Sequence, residues 1–137
     1  MNKSAHFHVI GTPAPQPRPR MTRRGHTYNP PSADAWKAAV RTAWRESGNP
    51  PFARHIRMRL EFFLSRPAGH LTKRGALVKG APTHPVGRPD VDNLAKAVMD
   101  ALGDEKAFPN DAAVVSLHAS KAYADFAGCW ITITERD

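Results

Sequence analysis

The residues best suited to chemistry lie in one stretch, Arg88-Pro-Asp-Val-Asp-Asn-Leu-Ala-Lys-Ala-Val-Met-Asp-Ala-Leu102. Asp90 and Asp92 flank a single valine. In extended backbone alternate side chains share one side, so both carboxylates can face one ion. Hard divalent cations such as Mg²⁺ take oxygen ligands, commonly one or two carboxylates completed by water and substrate phosphate. Asp92 is also placed to cap the helix that follows. Lys96 comes one helical turn after Asp92 on the same face, and Asp100 continues that line. A third carboxylate, Asp111, follows the helix. A helix of about 11 residues carries the chain roughly 16 Å from Asp92. The seven residues from Glu105 to Asp111 span up to about 23 Å when extended. Asp111 can therefore return and start a strand beside the other two. Each part also has a plainer reading. An Asp-x-Asp alone is a weak signal, an Asp–Lys pair one turn apart is commonly a surface ion pair, and Asp111 after Asn110 can be a turn residue.

The surrounding charge favours a polyanionic substrate. The 137 residues carry 20 Lys/Arg against 12 Asp/Glu, a formal charge of +8. The excess is uneven: residues 1–88 sum to +13 and residues 89–137 to −5. A strongly basic body points to nucleic acid. Acids repel phosphate unless a cation intervenes, so carboxylates inside such a chain suggest a metal-dependent phosphodiesterase. The length fits one domain. No apolar run approaches the roughly 18 residues of a membrane span, and Met1 to Gly11 lacks the apolar core of a signal peptide. No membrane role is expected, and cytoplasm is the default compartment. The single cysteine, Cys129, excludes an intramolecular disulfide framework and a cysteine-rich zinc site; its alternation with Ile131 and Ile133 makes it a buried small apolar residue.

The elements that must position these groups read as follows. Phe7 to Ile10 is a short strand. Gly11 to Arg20 is proline-rich, hence extended, and leads into a basic loop to Pro31. Arg18, Arg20, Arg23 and Arg24 there can meet phosphates. Ser32 is placed to cap a helix from Ala33 to about Glu46, with Trp36, Ala39, Val40 and Ala43 on its apolar face. Lys37, Arg41 and Arg45 form a stripe that either faces solvent or contacts phosphate. Ile56 to Leu64 alternates cleanly and predicts a half-buried strand. Ser65 to Pro89 is long for a loop in a compact domain and carries Lys73, Arg74, Lys79 and Arg88. Asn93 to Leu102 predicts a second helix that Gly103 stops. Ala113 to Tyr123 and Cys129 to Thr134 predict two further strands. His6 and His8 share a strand face, and His118 reads as structural. The order β-α-β-α-β-β defines a single α+β domain over 1–137, with two helices on a largely antiparallel or mixed sheet. Its basic loops span about 12–31 and 65–89.

The segment Arg88 to Leu102, with Asn110-Asp-Ala-Ala-Val-Val115 and Lys121, resembles the RusA family of Holliday-junction resolvases. The pattern Pro-Asp-x-Asp-Asn-Leu-x-Lys…Asp-Ala-Leu, then an Asp opening a Val-Val strand, carries the likeness. Gly11 to Tyr28, with Arg-Pro-Arg and Gly-x-x-Tyr, is similar to the family's N-terminal region, and Ser65 to Gly87 matches least. The resemblance implies a small RusA-like homodimer that cuts four-way DNA junctions with Mg²⁺, for which Mn²⁺ can substitute. Asp90, Asp92 and Asp111 match the family's catalytic, metal-binding carboxylates and Lys96 its essential lysine. Asn110 stands where many members have a further acid. A nucleoid-associated setting in a bacterium or a phage fits either way. Two competing readings are a nuclease for flaps or other branched DNA and a non-catalytic DNA-architectural module.

Overall fold

In the computed structural model, which describes residues 3–28 and 30–136, the chain runs β1 (Ser4–Ile10), β2 (Arg20–Met21), β3 (Thr27–Tyr28), α1 (Asp34–Ser47), β4 (Ile56–Ser65), α2 (Val91–Asp104), β5 (Val114–Ala124) and β6 (Gly128–Glu135). Asn29 of the expected 12–31 loop lies outside the described residues. The period-two segment makes the sheet's centre, because Ile56, Met58, Leu60 and Phe62 are buried while Arg57, Arg59 and Glu61 face the other way. The sheet order is β1-β6-β4-β5. β6 is antiparallel to both β1 and β4, and β4 pairs with β5 in parallel, so the sheet is mixed. β2 and β3 form a separate small hairpin within the stretch expected to be loop. Both helices pack on the same sheet face, where alternate residues of β1, β4 and β6 join Trp36, Val40, Leu94 and Val98 in one core. Cys129 belongs to that core, and burial raises its thiol pKa to about 12. No helix among the described residues is long and apolar enough to cross a membrane.

Several element ends differ from expectation. Ser32 lies in a 3₁₀ turn (Pro31–Ala33), and the residue capping α1 is Ala33, which offers no side-chain bond. The two prolines at 30 and 31 favour that tight entry. Gly48 closes α1 in the left-handed conformation at φ 69°. Gly103 does not stop α2. Lys106 takes the left-handed turn instead (φ 56°), and Ala107 N–H donates to the Leu102 carbonyl, 3.0 Å. That bond closes the helix one turn later than glycine would have.

The basic stripe of α1 is partly exposed, and each of its cations meets an acid of α2 or of the residue that follows it. Lys37 lies 3.8 Å from Asp100, Arg41 lies 3.3 Å from Asp104, and Arg45 grips Glu105 through two N–H groups. The acids belong to the end of α2, so the stripe joins the helices. The hydrogen bond from Arg45 holds the Glu105 carboxyl below the ordinary glutamate range, and the Arg41 charge adds to this. A depressed folded pKa contributes stability above the unfolded value of about 4.3. That contribution is lost as pH falls through the folded value. Glu105→Gln should therefore melt on the order of 1–3 °C below wild type at neutral pH, the small effect expected of an exposed pair. The two proteins should melt together near pH 3. A difference that persists in acid would show that Glu105 acts through packing instead.

Candidate active site

The start of α2 is set by Pro89 and Asp90. Asp90 is extended (φ −72°, ψ 141°) and its carbonyl accepts the Leu94 N–H at 3.1 Å, so Asp90 is the capping residue. Two expectations are thus corrected: Asp92 does not cap but lies within the first turn, and because the helix begins at Val91 the run from Asp90 to Asp92 is not the extended backbone expected to put both carboxylates on one side. The Asp90 side chain makes no capping bond to the helix, which leaves its oxygens available to a ligand. Both carboxylates are exposed. Negative side chains are favoured at this end because the peptide dipoles point their positive end there. Lys96 lies one turn beyond Asp92, with its ammonium 3.9 Å from Asp100. Asp100 therefore faces two lysines, Lys37 and Lys96.

Two remote segments hold this helix start in place. Lys121 on β5 donates to the carbonyls of Gly87 (2.6 Å) and Pro89 (2.9 Å). From the other side the proline-rich arm is tied down by Gln16 N–H, which donates to the Asn93 carbonyl at 3.0 Å. Arm and helix start enclose an open cleft of about 680 Å³ whose lining includes Gln16, Arg18, Arg88, Asp90 and Asn93. Two arginines and one aspartate thus line the same cleft. Gln16 and the anchoring role of Lys121 were not read as functional from sequence. An amide in a proline-rich arm carries no spacing signal, and Lys121 acts on a segment 32 residues away.

The remaining expected DNA-binding residues are exposed but scattered. Arg20 sits on the β2–β3 hairpin, and Arg23 and Arg24 lie in its turn, which Gly25 closes at φ 84°. Lys73 and Arg74 crown a tight turn held by Thr72 N–H to the Ala76 carbonyl (2.7 Å) and the Leu71–Leu77 bridge. The 65–89 stretch, Lys79 included, is thus a folded excursion rather than a plain loop. It is anchored where Arg66 lies over the Tyr123 ring at 4.4 Å and donates to the Pro82 carbonyl at 2.7 Å.

Asp111 does not join Asp90 and Asp92 within the chain. It opens a 3₁₀ turn before β5, and the Asn110 side chain accepts the Ala112 N–H there at 3.0 Å. Two rulers measure the gap. Lys121, which touches Pro89, stands seven residues along β5 from Val114, about 23 Å at strand rise. The 14 residues of α2 cover about 21 Å in the opposite direction. Asp111 therefore sits at the far end of both elements, roughly 20 Å from the helix start. Consistently, no three His, Cys, Asp or Glu side chains among the described residues come together at metal-binding separation. The loop after α2 has the reach assumed for it, but Ala107 N–H is folded onto Leu102 and the Ala107 carbonyl accepts Phe52 N–H at 2.8 Å. These bonds keep the loop at the near end of β4.

Exposed carboxylates at a helix start, beside a cleft lined by Arg18 and Arg88 in a basic α+β chain, are the groups that a phosphodiester-cleaving nuclease uses. Comparison with protein families makes this specific: residues 11–134 match the family model of Endodeoxyribonuclease RusA. The chain belongs to the RusA endodeoxyribonuclease family, the Holliday-junction-resolving and generally metal-dependent nucleases. No curated protein matches it.

The anchoring of Pro89 gives a test. Lys121→Met is expected to release the segment before α2 and lower junction cleavage about tenfold or more, with the Mg²⁺ concentration for half-maximal rate raised. Junction binding in chelator should change little, and Lys121→Arg should restore most of the activity. Loss of binding in parallel with cleavage would assign Lys121 to DNA contact instead.

Proposed function

We propose that this chain acts as a homodimer that resolves four-way DNA junctions by paired, symmetric, divalent-cation-dependent hydrolysis of phosphodiesters. The observation that carries the reading is the placement of Asp90 and Asp92 at the start of α2, with Arg18 and Arg88 beside Asp90 across one cleft. The donor set is all oxygen, which suits Mg²⁺ or Mn²⁺ and not a soft metal. Asp90 and Asp92 would hold the ion, which supplies an acidified water and neutralises phosphate charge. Arg18 and Arg88 grip phosphate, with planar forks that match its oxygens. Lys96, steadied by Asp100, presents an ammonium to the charge that develops on the phosphate. The exposed cations Arg20, Arg23, Arg24, Lys73, Arg74 and Lys79 serve the arms, where each phosphate contact adds salt-sensitive affinity.

Dimerisation gives Asp111 a role that one chain does not. A four-way junction needs two cuts, and a two-fold dimer supplies two sites. β5 is one of the sheet's two edge strands, with Val115 and Leu117 about half exposed on it, and an open edge is a template for pairing. Antiparallel pairing of two β5 edges would run the start of one strand past the end of the other. The partner subunit's Asp111 would then approach Asp90 and Asp92, where Lys121 anchors them.

Three variants test this. Asp92→Asn should abolish cleavage of a junction in Mg²⁺ while binding in EDTA survives, and Lys96→Ala should lose far more cleavage than binding. Asp111→Asn should also be inactive. Mixing the Asp92→Asn and Asp111→Asn proteins should restore single-strand nicking, since a mixed dimer holds one site with every carboxylate intact. Absence of any rescue in verified mixed dimers would refute the shared site. Metal-dependent cutting of flaps with junctions left whole would move the substrate, and binding with no cleavage of any branched DNA would favour an architectural role.

A further inference from the structure

The sheet face turned away from α1 and α2 has no described helix across it. Its centre is a shallow cleft of about 550 Å³ lined by Arg57 and Arg59 of β4, Ser116 and His118 of β5, and Thr132 and Thr134 of β6. The strand registers arrange these six residues in two rows. Ser116, Arg57 and Thr134 are cross-strand neighbours, and so are His118, Arg59 and Thr132. Each row carries a guanidinium flanked by groups that can donate hydrogen bonds, and the rows lie two residues apart along the strands, about 6.7 Å. That is close to the through-space step between neighbouring phosphates on one nucleic-acid strand.

The chemistry of the face is one-sided. Its nearby acid is Glu61, whose carboxylate lies 3.3 Å from Nε of Arg59. Nε is one of five N–H donors in the guanidinium group, so four remain. The β1 side is stiffened where the Trp130 indole stacks nearly parallel on His6 and His8, at 4.7 and 4.6 Å between ring centres. His6 Nδ1 also pairs with the Thr132 hydroxyl at 2.7 Å, which fixes one of the row residues. None of these groups belongs to the cleavage cleft, which lies at the start of α2 on the other side of the sheet. Burial and alternation explain why this face is polar. They do not require two arginines in register with a histidine and hydroxyls on both neighbouring strands.

We propose that this open face is a second DNA-backbone surface, which takes the sugar-phosphate backbone of a junction arm remote from the cut. The charge complementarity is direct: guanidinium and hydroxyl donors meet phosphate oxygens. The proposal rests on branched DNA as the substrate and is independent of which carboxylates cut it.

The test uses the full chain and a labelled four-way junction, with affinity measured in EDTA across a salt series. The double variant Arg57→Gln/Arg59→Gln should bind about tenfold or more weakly near 0.1 M salt. Its plot of log affinity against log salt should be shallower by about 2, the loss of two phosphate contacts. With Mg²⁺ and saturating protein its cleavage rate should equal wild type. Arg57→Lys/Arg59→Lys should recover most of the salt slope. If the glutamine variant does not fold, His118→Glu, at an exposed position, should weaken binding by placing a carboxylate in the row of Arg59 and Thr132. Unchanged affinity and slope would overturn the proposal. So would a change in molar mass by light scattering in the glutamine variant, which would make the face a contact between copies. A wild-type protein that binds junctions in EDTA yet cuts none would refute the cutting assignment and leave this measurement valid.

Discussion

The parallel pairing of β4 with β5 governs most of what the molecule can do. Parallel neighbours cannot be joined by a tight turn, so the chain must leave one end of β4 and return to the other before β5 begins. α2 makes that return. Its start therefore lies at the carboxyl ends of the two strands, where ligands gather in sheets built this way, and its end lies at their beginnings. Asp90 and Asp92 fall at the first place and Asp111 at the second. No rotation of a side chain bridges the roughly 20 Å between them, because the length of α2 and the length of β5 are the same constraint measured twice. Under the proposed function, a partner chain running the other way would remove the gap.

The crossover also divides the acids between two tasks. Residues 89–137 sum to −5, and a reading from charge alone assigns that excess to metal binding. The structure shows otherwise for half the helix. Asp100, Asp104 and Glu105 face Lys37, Arg41 and Arg45 and so join α2 to α1. Among the described residues Asp90 and Asp92, at the other end of α2, form no such ion pair, and Arg18 of the arm and Arg88 line the same cleft as Asp90. One helix thus carries a paired acidic end and an unpaired acidic end. Pairing the first with lysines and arginines neutralises its charge, while the second keeps the free carboxylates that the proposed function assigns to a cation.

How far the sequence reveals this depends on the range of the interaction. Periodicity is a local signal, so β4, both helices and the buried Cys129 are legible from alternation and helical spacing alone. The pattern around Asp90 to Lys96 is local too, and it carries the family. What the sequence hides is long-range. The stripe of α1 has the spacing of a solvated or phosphate-binding face, and only the packing of α2 reveals what it meets. Lys121 has no local pattern linking it to Pro89. Reach permitted Asp111 to return to its fellows, but reach is an upper bound on chain length. The bonds of Ala107 to Leu102 and Phe52 shorten the path that the loop takes. Helix ends were misplaced for a related reason: Lys106 accepts a positive φ that residue type alone assigns to Gly103.

The order in the proline- and glycine-rich segments follows from the same long-range bonds. The arm from Gly11 to Arg20 and the excursion from Arg66 to Pro89 have little regular structure of their own, and free chains of that composition would sample many conformations. Each is instead fastened at a few points: Gln16 to Asn93, Arg66 to Tyr123 and Pro82, Lys121 to Gly87 and Pro89. The fastenings converge on the carboxyl end of β5 and the start of α2. Arg18 and Arg88, 70 positions apart in sequence, thereby line one cleft with Asp90. The backbone that brings both arginines to one cleft is already fixed, so under the proposed function the cleft would be prepared for phosphate before phosphate arrives. Such preparation matters for catalysis, since groups fixed in advance need no reorganisation as charge develops. In this chain the rigidity comes from lysine and arginine binding backbone carbonyls, which makes the basic composition a source of architecture as well as of affinity for DNA.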